Sequence, residues 1–281
     1  MKRPRPAATA TVKFVKATAC GNDFIIIAAR DAVAAGNDLA DFSRRICDRH
    51  NGVGADGVEW LYSSDQADIE ARLFNSDGSA AELSGNGTRC VAAFWADAAA
   101  IEGRSPSAVS VLTGAGNKEF RLTGHDGWRF DFEADMGVPR VEDELSFSVN
   151  GAPVKGIPVS MGNPHYVVFV DAMQLRSADI SETAAAIARD GHFPEGVNVE
   201  FAHVSDASNI HLRIFERGAG ETMSSGTGSC AAGAAAFITS RVKSSINVHS
   251  AGGSQRVVWD GHRGVMLAGP AKIICRGEFL L

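Results

Sequence analysis

The chain has 281 residues, 45% of them hydrophobic, enough for two domains of ordinary size, each with its own core. Net charge is −6, from 27 basic and 33 acidic residues spread along the chain, which argues against nucleic acid as a partner. No apolar run of about 18 residues occurs, no apolar segment follows the charged start, and five widely spaced cysteines form neither a disulfide framework nor a zinc pattern. These features predict a protein of the reducing cytoplasm, without a membrane span or a metal site.

Residues 1–10, with Lys2-Arg3-Pro4-Arg5 among Pro and Ala, read as a disordered tail. Residues 11–20 alternate as a strand and residues 24–29 as a second, buried one, with Gly21-Asn22-Asp23 as the turn between them. Asn37 or Asp38 can cap a helix to about His50, with Leu39, Phe42 and Ile46 on one face. A loop over residues 51–57 follows, then a strand over residues 68–74 and the turn Asn75-Ser76-Asp77-Gly78. Ser84-Gly85-Asn86-Gly87 opens a helix over about residues 86–100, in which Cys90 reads as a packed thiol. Short strands and turns fill residues 108–151.

The second half repeats this order. A strand-like stretch ending at Met161 leads to Gly162-Asn163-Pro164-His165, then to a strand over residues 166–170 and a helix over about residues 181–189. Asn198 lies in a strand over residues 197–201, and a strand over residues 210–215 leads into Glu216-Arg217 and the loop Ser225-Gly226-Thr227-Gly228. That loop opens an alanine-rich helix, and the chain ends in strands that include residues 265–267 and 273–275.

The two glycine-rich loops lie 141 residues apart. The same offset superposes Phe74 on Phe215, Gly21-Asn22 on Gly162-Asn163, and Val58-Glu59 on Val199-Glu200. Separate stretches sharing one register indicate a duplicated domain. The predicted class is α+β, two similar mixed α/β domains, each a sheet around one central helix whose N-terminus carries the loop. The boundary falls in the turn formers of residues 123–127, giving domains over 11–124 and 125–269, the first completed by a last strand at about 270–281.

If the halves face each other, two helix N-termini offer unpaired N–H groups and positive dipole ends to one anion. Removing a proton beside a carboxylate creates such an anion. Ser84 and Ser225 would then stand on opposite faces of one carbon, as a two-base racemisation requires.

Gly21-Asn22-Asp23-Phe24, residues 49–56, Asn75-Ser76-Asp77-Gly78-Ser79, residues 85–90, Met161-Gly162-Asn163-Pro164-His165, Asn198-Val199-Glu200-Phe201 and residues 216–228 resemble the diaminopimelate epimerase family. The resemblance covers about residues 12–281. It implies two similar α/β domains around a central cleft that holds the site, and interconversion of LL- and meso-diaminopimelate for lysine and peptidoglycan precursor synthesis, without pyridoxal phosphate or any other cofactor. By the same resemblance, Gly85, Asn86, Gly226 and Thr227 would hold the reacting carboxylate. Asn75, Asn163, Asn198, Glu216 and Arg217 would hold the distal amino-acid end, and Asn22 and His165 would line the cleft. The partner is then a small amino-acid substrate, with neither nucleic acid nor membrane, and the family allows a homodimer.

The family's acid–base residues are cysteines, and their positions here are Ser84 and Ser225. Gly57 stands where a substrate-contacting Gln is usual, and Thr18 where a His is common. A hydroxyl ionises far above a thiol and needs a neighbouring base, for which Glu216, His165 and Glu221 are candidates. Four readings stay open: a double Cys→Ser substitution of such an epimerase, an enzyme for a related amino acid or for another α-proton reaction such as isomerisation or elimination, a slow diaminopimelate epimerase, or a silent amino-acid-binding homologue.

Overall fold

The computed structural model describes residues 10–31, 38–149 and 151–281. All but the last residue of the expected N-terminal tail, and the candidate cap Asn37, lie outside the described residues. The chain divides into two compact units, residues 1–132 with 270–281, and residues 133–269.

In the first unit, β1 (Thr11–Ala19) and β2 (Asn22–Ala28) form an antiparallel hairpin with Ala19 opposite Asn22. Its two-residue loop is Cys20-Gly21, and both residues have positive φ (49° and 86°), the conformation that matches the twist of the flanking strands. Helix α1 (Leu39–Cys47) carries the chain across to β3 (Gly57–Tyr62), which runs parallel to β2. Asp38 caps α1 by accepting from the Asp41 N–H. The helix stops before the expected His50 because the Asp48 carboxylate takes the N–H groups of His50 and Asn51, each at 2.7 Å, and starts a turn. Phe42 and Ile46 of α1 pack on Ile25, Ile27, Val58 and Trp60, and the Trp60 indole donates to Ser43 Oγ inside this core.

β4 (Ile69–Asn75) lies antiparallel to β3, pairs with the short β5 (Ala80–Ala81) and runs parallel to β6 (Ala108–Thr113). Between β5 and β6 comes α2 (Gly85–Ile101), whose first turns are buried. β7 (Gly116–Asp126) returns against β6, and β8 (Arg129–Asp135) follows.

The second unit repeats this plan. After β9 (Arg140–Val141) and β10 (Leu145–Val149), β11 (Ala152–Ser160) pairs antiparallel with β12 (Pro164–Phe169). Helices α3 (Ala172–Leu175) and α4 (Ile180–Ala188) lead to β13 (Asn198–Asp206), parallel to β12. β14 (Asn209–Glu216) is antiparallel to β13 and pairs with β15 (Gly220–Thr222), after which α5 (Gly226–Ile238) begins. β16 (Ser245–Ser250) runs parallel to β14, and β17 (Gly253–Val258) returns against it.

The repeat extends to strand register. Phe24 faces Gly57 as His165 faces Asn198, and Val58 faces Phe74 as Val199 faces Phe215. Each pair of equivalents keeps the offset read in the sequence.

α5 is apolar on every side because strands surround it: Ala231, Ala232, Ala234, Ala235 and Ala236 are all fully buried. Small residues let those strands approach, and a Cβ on Gly233 would lie 2.9 Å from Val257 Cγ1. The final strand, β18 (Met266–Leu280), is one element of 15 residues where two short strands are predicted. Leu267, Gly269, Ala271 and Ile273 point inward with period two straight through Gly269-Pro270, which joins the two.

Candidate active site

Each unit, taken by itself, carries a serine-capped loop at the N-terminus of its central helix, called here its half-site. Ser84 is the N-cap of α2, and its Oγ accepts from the Gly87 N–H at 3.1 Å. Ser225 caps α5 in the same way, accepting from the Gly228 N–H at 3.2 Å. The next turns match as well: the Thr88 hydroxyl donates to the Ser84 carbonyl and the Ser229 hydroxyl to the Ser225 carbonyl, each at 2.8 Å. A cap bond and a helix dipole both favour negative charge on these serine oxygens.

In the first half-site, Asn22 and Asn86 are joined side chain to side chain, the Asn86 amide donating to Asn22 Oδ1 at 2.8 Å. Asn22 donates onward to Asp56 Oδ2, and Asp56 accepts from Arg49, so the asparagine pair is held in a fixed chain. On its other side, the buried Arg89 donates to Asn86 Oδ1. Asn75 stands apart from this cluster: it is exposed, and its amide donates to Ser79 Oγ within the turn. Gly85 has open space where a Cβ would be and an ordinary negative φ, so neither packing nor backbone conformation requires glycine there.

The second half-site is its counterpart. Asn163 and Thr227, offset equivalents of Asn22 and Asn86, again make the cross-loop contact, Asn163 Nδ2 to Thr227 Oγ1 at 3.5 Å. His165 is buried, with Nδ1 2.7 Å from Glu200 Oε1 and Nε2 3.0 Å from Asn163 Oδ1. Burial raises the pKa of Glu216 above the ordinary carboxylate range and the neighbouring Glu200 adds to that, while the Ser225 hydroxyl beside it pulls it partly back. Glu216 is thus the acid next to Ser225. Glu221 is not available as a base: Arg213 grips it at 2.6 and 2.8 Å and holds its pKa low.

Asn198 spends both ends of its amide on the backbone, donating to the Pro164 carbonyl and accepting from the Arg217 N–H. It brackets the start of the loop and fixes where Arg217 emerges. Arg217 Nη1 donates to the Glu195 carbonyl while the residue stays exposed. Cys90 and Cys230 are fully buried in their helices, and burial pushes the Cys90 thiol up, so neither stands in for the serines.

Two further acids belong to these half-sites, and the sequence shows them only as an echo. Glu59 and Glu200 are both buried under their loops, where a Cβ on Gly87 would meet Glu59 Oε1 at 2.3 Å and one on Gly228 would meet Glu200 Oε1 at 2.7 Å. Gly228→Ala should therefore destabilise the protein by about 1–3 kcal/mol, because His165 fixes Glu200 in place. Gly87→Ala should cost less, since no hydrogen bond holds Glu59 Oε1. Chemical unfolding of the two variants compares them directly, and equal losses would contradict the assignment.

The family model described as Diaminopimelate epimerase matches residues 14–142 and 157–274. The chain belongs to the diaminopimelate epimerase family. It is 37% identical to the diaminopimelate epimerase of Moorella thermoacetica, over 95% of this chain and 99% of that protein. Against the enzyme of Geobacillus thermodenitrificans it is 34% identical, covering 95% and 96%. Among solved structures, the fold is shared with a Bacillus anthracis phenazine biosynthesis protein of the PhzF family (TM-score 0.69, 18% identity, covering 96% and 99%). It is also shared with an Agrobacterium vitis hydroxyproline epimerase (TM-score 0.69, 17% identity, covering 97% and 93%). Membership makes the chain an isomerase of the epimerase type. Among the described residues no helix is long and apolar enough to cross a membrane, and no group of three His, Cys, Asp or Glu side chains is arranged to hold a metal ion.

Proposed function

We propose that the protein interconverts LL- and meso-diaminopimelate by two-base proton transfer without a cofactor, with Ser84 and Ser225 as the acid–base pair. The observation that carries this reading is the matched pair of serine-capped helix N-termini, each with the same cap bond and each with one asparagine amide donating across its loops, Asn86 to Asn22 and Asn163 to Thr227. Relatives at 33–37% identity bear the name diaminopimelate epimerase, which supports the substrate.

The N–H groups at Gly85 and Asn86, and at Gly226 and Thr227, bind the carboxylate beside the reacting carbon and gain strength as its charge grows. The open space at Gly85 leaves room for that approach. Asn22, Asn163 and His165 line the reacting end. Arg217 takes the distal carboxylate as a bidentate fork, with Asn198 setting its position and Asn75 completing the distal end. Glu216 stands beside Ser225, so its carboxylate receives the hydroxyl proton as Ser225 Oγ takes the one from Cα.

A silent binding homologue is the second reading, favoured by the fact that both serine oxygens already serve as helix caps. Incubation with LL-diaminopimelate in deuterium oxide, followed by NMR, separates the two. Loss of the α-proton signal with appearance of the meso epimer is expected. Saturable binding without exchange would establish the silent homologue instead.

A further inference from the structure

The offset that superposes the two halves pairs Glu59 with Glu200, and their surroundings differ in one decisive respect. His165 anchors Glu200 at 2.7 Å, whereas the equivalent of His165 in the first half is Phe24, which offers no hydrogen bond. Glu59 Oε1 is buried with no hydrogen-bond partner. A buried polar atom left unsatisfied is disfavoured, so its retention calls for a reason. Burial pushes Glu59 up to about 8, so the side chain keeps its proton at neutral pH.

The place of Glu59 supplies the reason. A Cβ on Gly87 would lie 2.3 Å from Glu59 Oε1 and 3.2 Å from Ser84 Cβ, so the volume that Gly87 leaves open adjoins both side chains. Ser84 Oγ accepts the Gly87 N–H, which leaves its own proton to be given away. Ser225 has Glu216 beside it, but the offset equivalent of Glu216 is Asn75, whose amide is turned to Ser79 and which has no acid–base chemistry. Within the first unit, the acid that adjoins the Ser84 loop among the described residues is Glu59, beneath it.

We propose that Glu59 is the positioning residue for Ser84: it holds a proton behind the first serine and passes it to Ser84 Oγ when that serine donates to the substrate carbon. The proposal rests on the epimerase reading above. In one direction Ser225 Oγ takes the Cα proton while its hydroxyl proton moves to the Glu216 carboxylate, and the C–H electron pair spreads into the substrate carboxylate. Ser84 then gives its hydroxyl proton to the opposite face of Cα, and the Glu59 carboxyl proton replaces it on Ser84 Oγ. Glu216 ends protonated and Glu59 ionised; the reverse reaction restores both, and before another forward turnover Glu216 loses its proton to solvent water and Glu59 regains one from it.

The test is Glu59→Gln in two backgrounds, the chain with Ser84 and Ser225 and the Ser84→Cys/Ser225→Cys chain, read by α-proton exchange in deuterium oxide. In the serine chain the exchange rate should fall by about 10²-fold or more, with diaminopimelate still bound in calorimetry. In the thiol chain the fall should stay below about tenfold, since a thiol ionises without help. The melting temperature of Glu59→Gln should equal or exceed that of the parent. Equal losses of exchange in both backgrounds, or a lowered melting temperature, would reveal a structural role and overturn the proposal. A serine chain that is silent while the thiol chain exchanges overturns this inference alone; silence of both chains overturns the epimerase reading, and this inference with it.

Discussion

Replacing Ser84 and Ser225 together by cysteine should raise α-proton exchange on diaminopimelate by about 10²-fold or more, the scale of a well-matched acid–base group. On the proposed mechanism a serine hydroxyl sheds its proton to Glu216 or draws one from behind the loop during each transfer. A thiol has a reference pKa near 8.5 and falls further at a helix N-terminus, so it reaches the reactive form by itself. Both positions are helix N-termini with a cap N–H aimed at the side-chain oxygen, so the features that depress a thiol are in place. Each single variant should lie between the parent and the double variant. The gain is offset in stability, because serine is a strong N-cap and its loss costs about 1 kcal/mol per helix. Exchange rates beside melting curves check both effects. Unchanged exchange with intact binding would mean that the serines are not the proton-transfer groups.

The fold was legible because the duplication writes the same plan twice. Glycine turns, the two Ser-Gly-x-Gly helix starts and the shared offset survive as strand register, Val58 on Phe74 and Val199 on Phe215. What the sequence misplaced were features decided by local competition: Asp48 ending α1 early, and the inward alternation that carries β18 through Gly269-Pro270. At the site, spacing pointed to Ser84 and Ser225, and the family resemblance pointed to the asparagines. They could not show that Asn198 is spent on the backbone or that Arg213 claims Glu221, because both depend on contacts 34 and 8 residues apart. Glu59 was visible only as a match to Glu200. Its meaning needed the third dimension, where Phe24 takes the place of the histidine that would have paired with it.

That contrast makes the second half the more fragile one. Glu200 is fully buried with Oε1 on His165 Nδ1, so Glu200→Ala strands a buried imidazole and opens a cavity, at a cost of about 3–5 kcal/mol. His165→Phe instead recreates the first half-site, with a phenyl ring beside a buried glutamate. Burial raises Glu59 in that setting to about 8, and without its imidazole the Glu200 carboxyl meets the same burial with no hydrogen bond from position 165. A carboxyl whose pKa is higher folded than unfolded is stabilised in its neutral form, and that advantage is lost as pH climbs from the unfolded value towards the folded one. The clean comparison is His165→Phe against His165→Phe/Glu200→Gln, two chains that differ only in whether position 200 can ionise. Near pH 5 they should unfold at similar urea concentrations. By pH 8 the chain with Glu200 should be the weaker by more than about 1 kcal/mol, since each unit of pKa shift is worth about that much. A difference that stays constant across this range would mean that Glu200 finds another partner once the histidine is gone, and that the two halves are not interchangeable at this position.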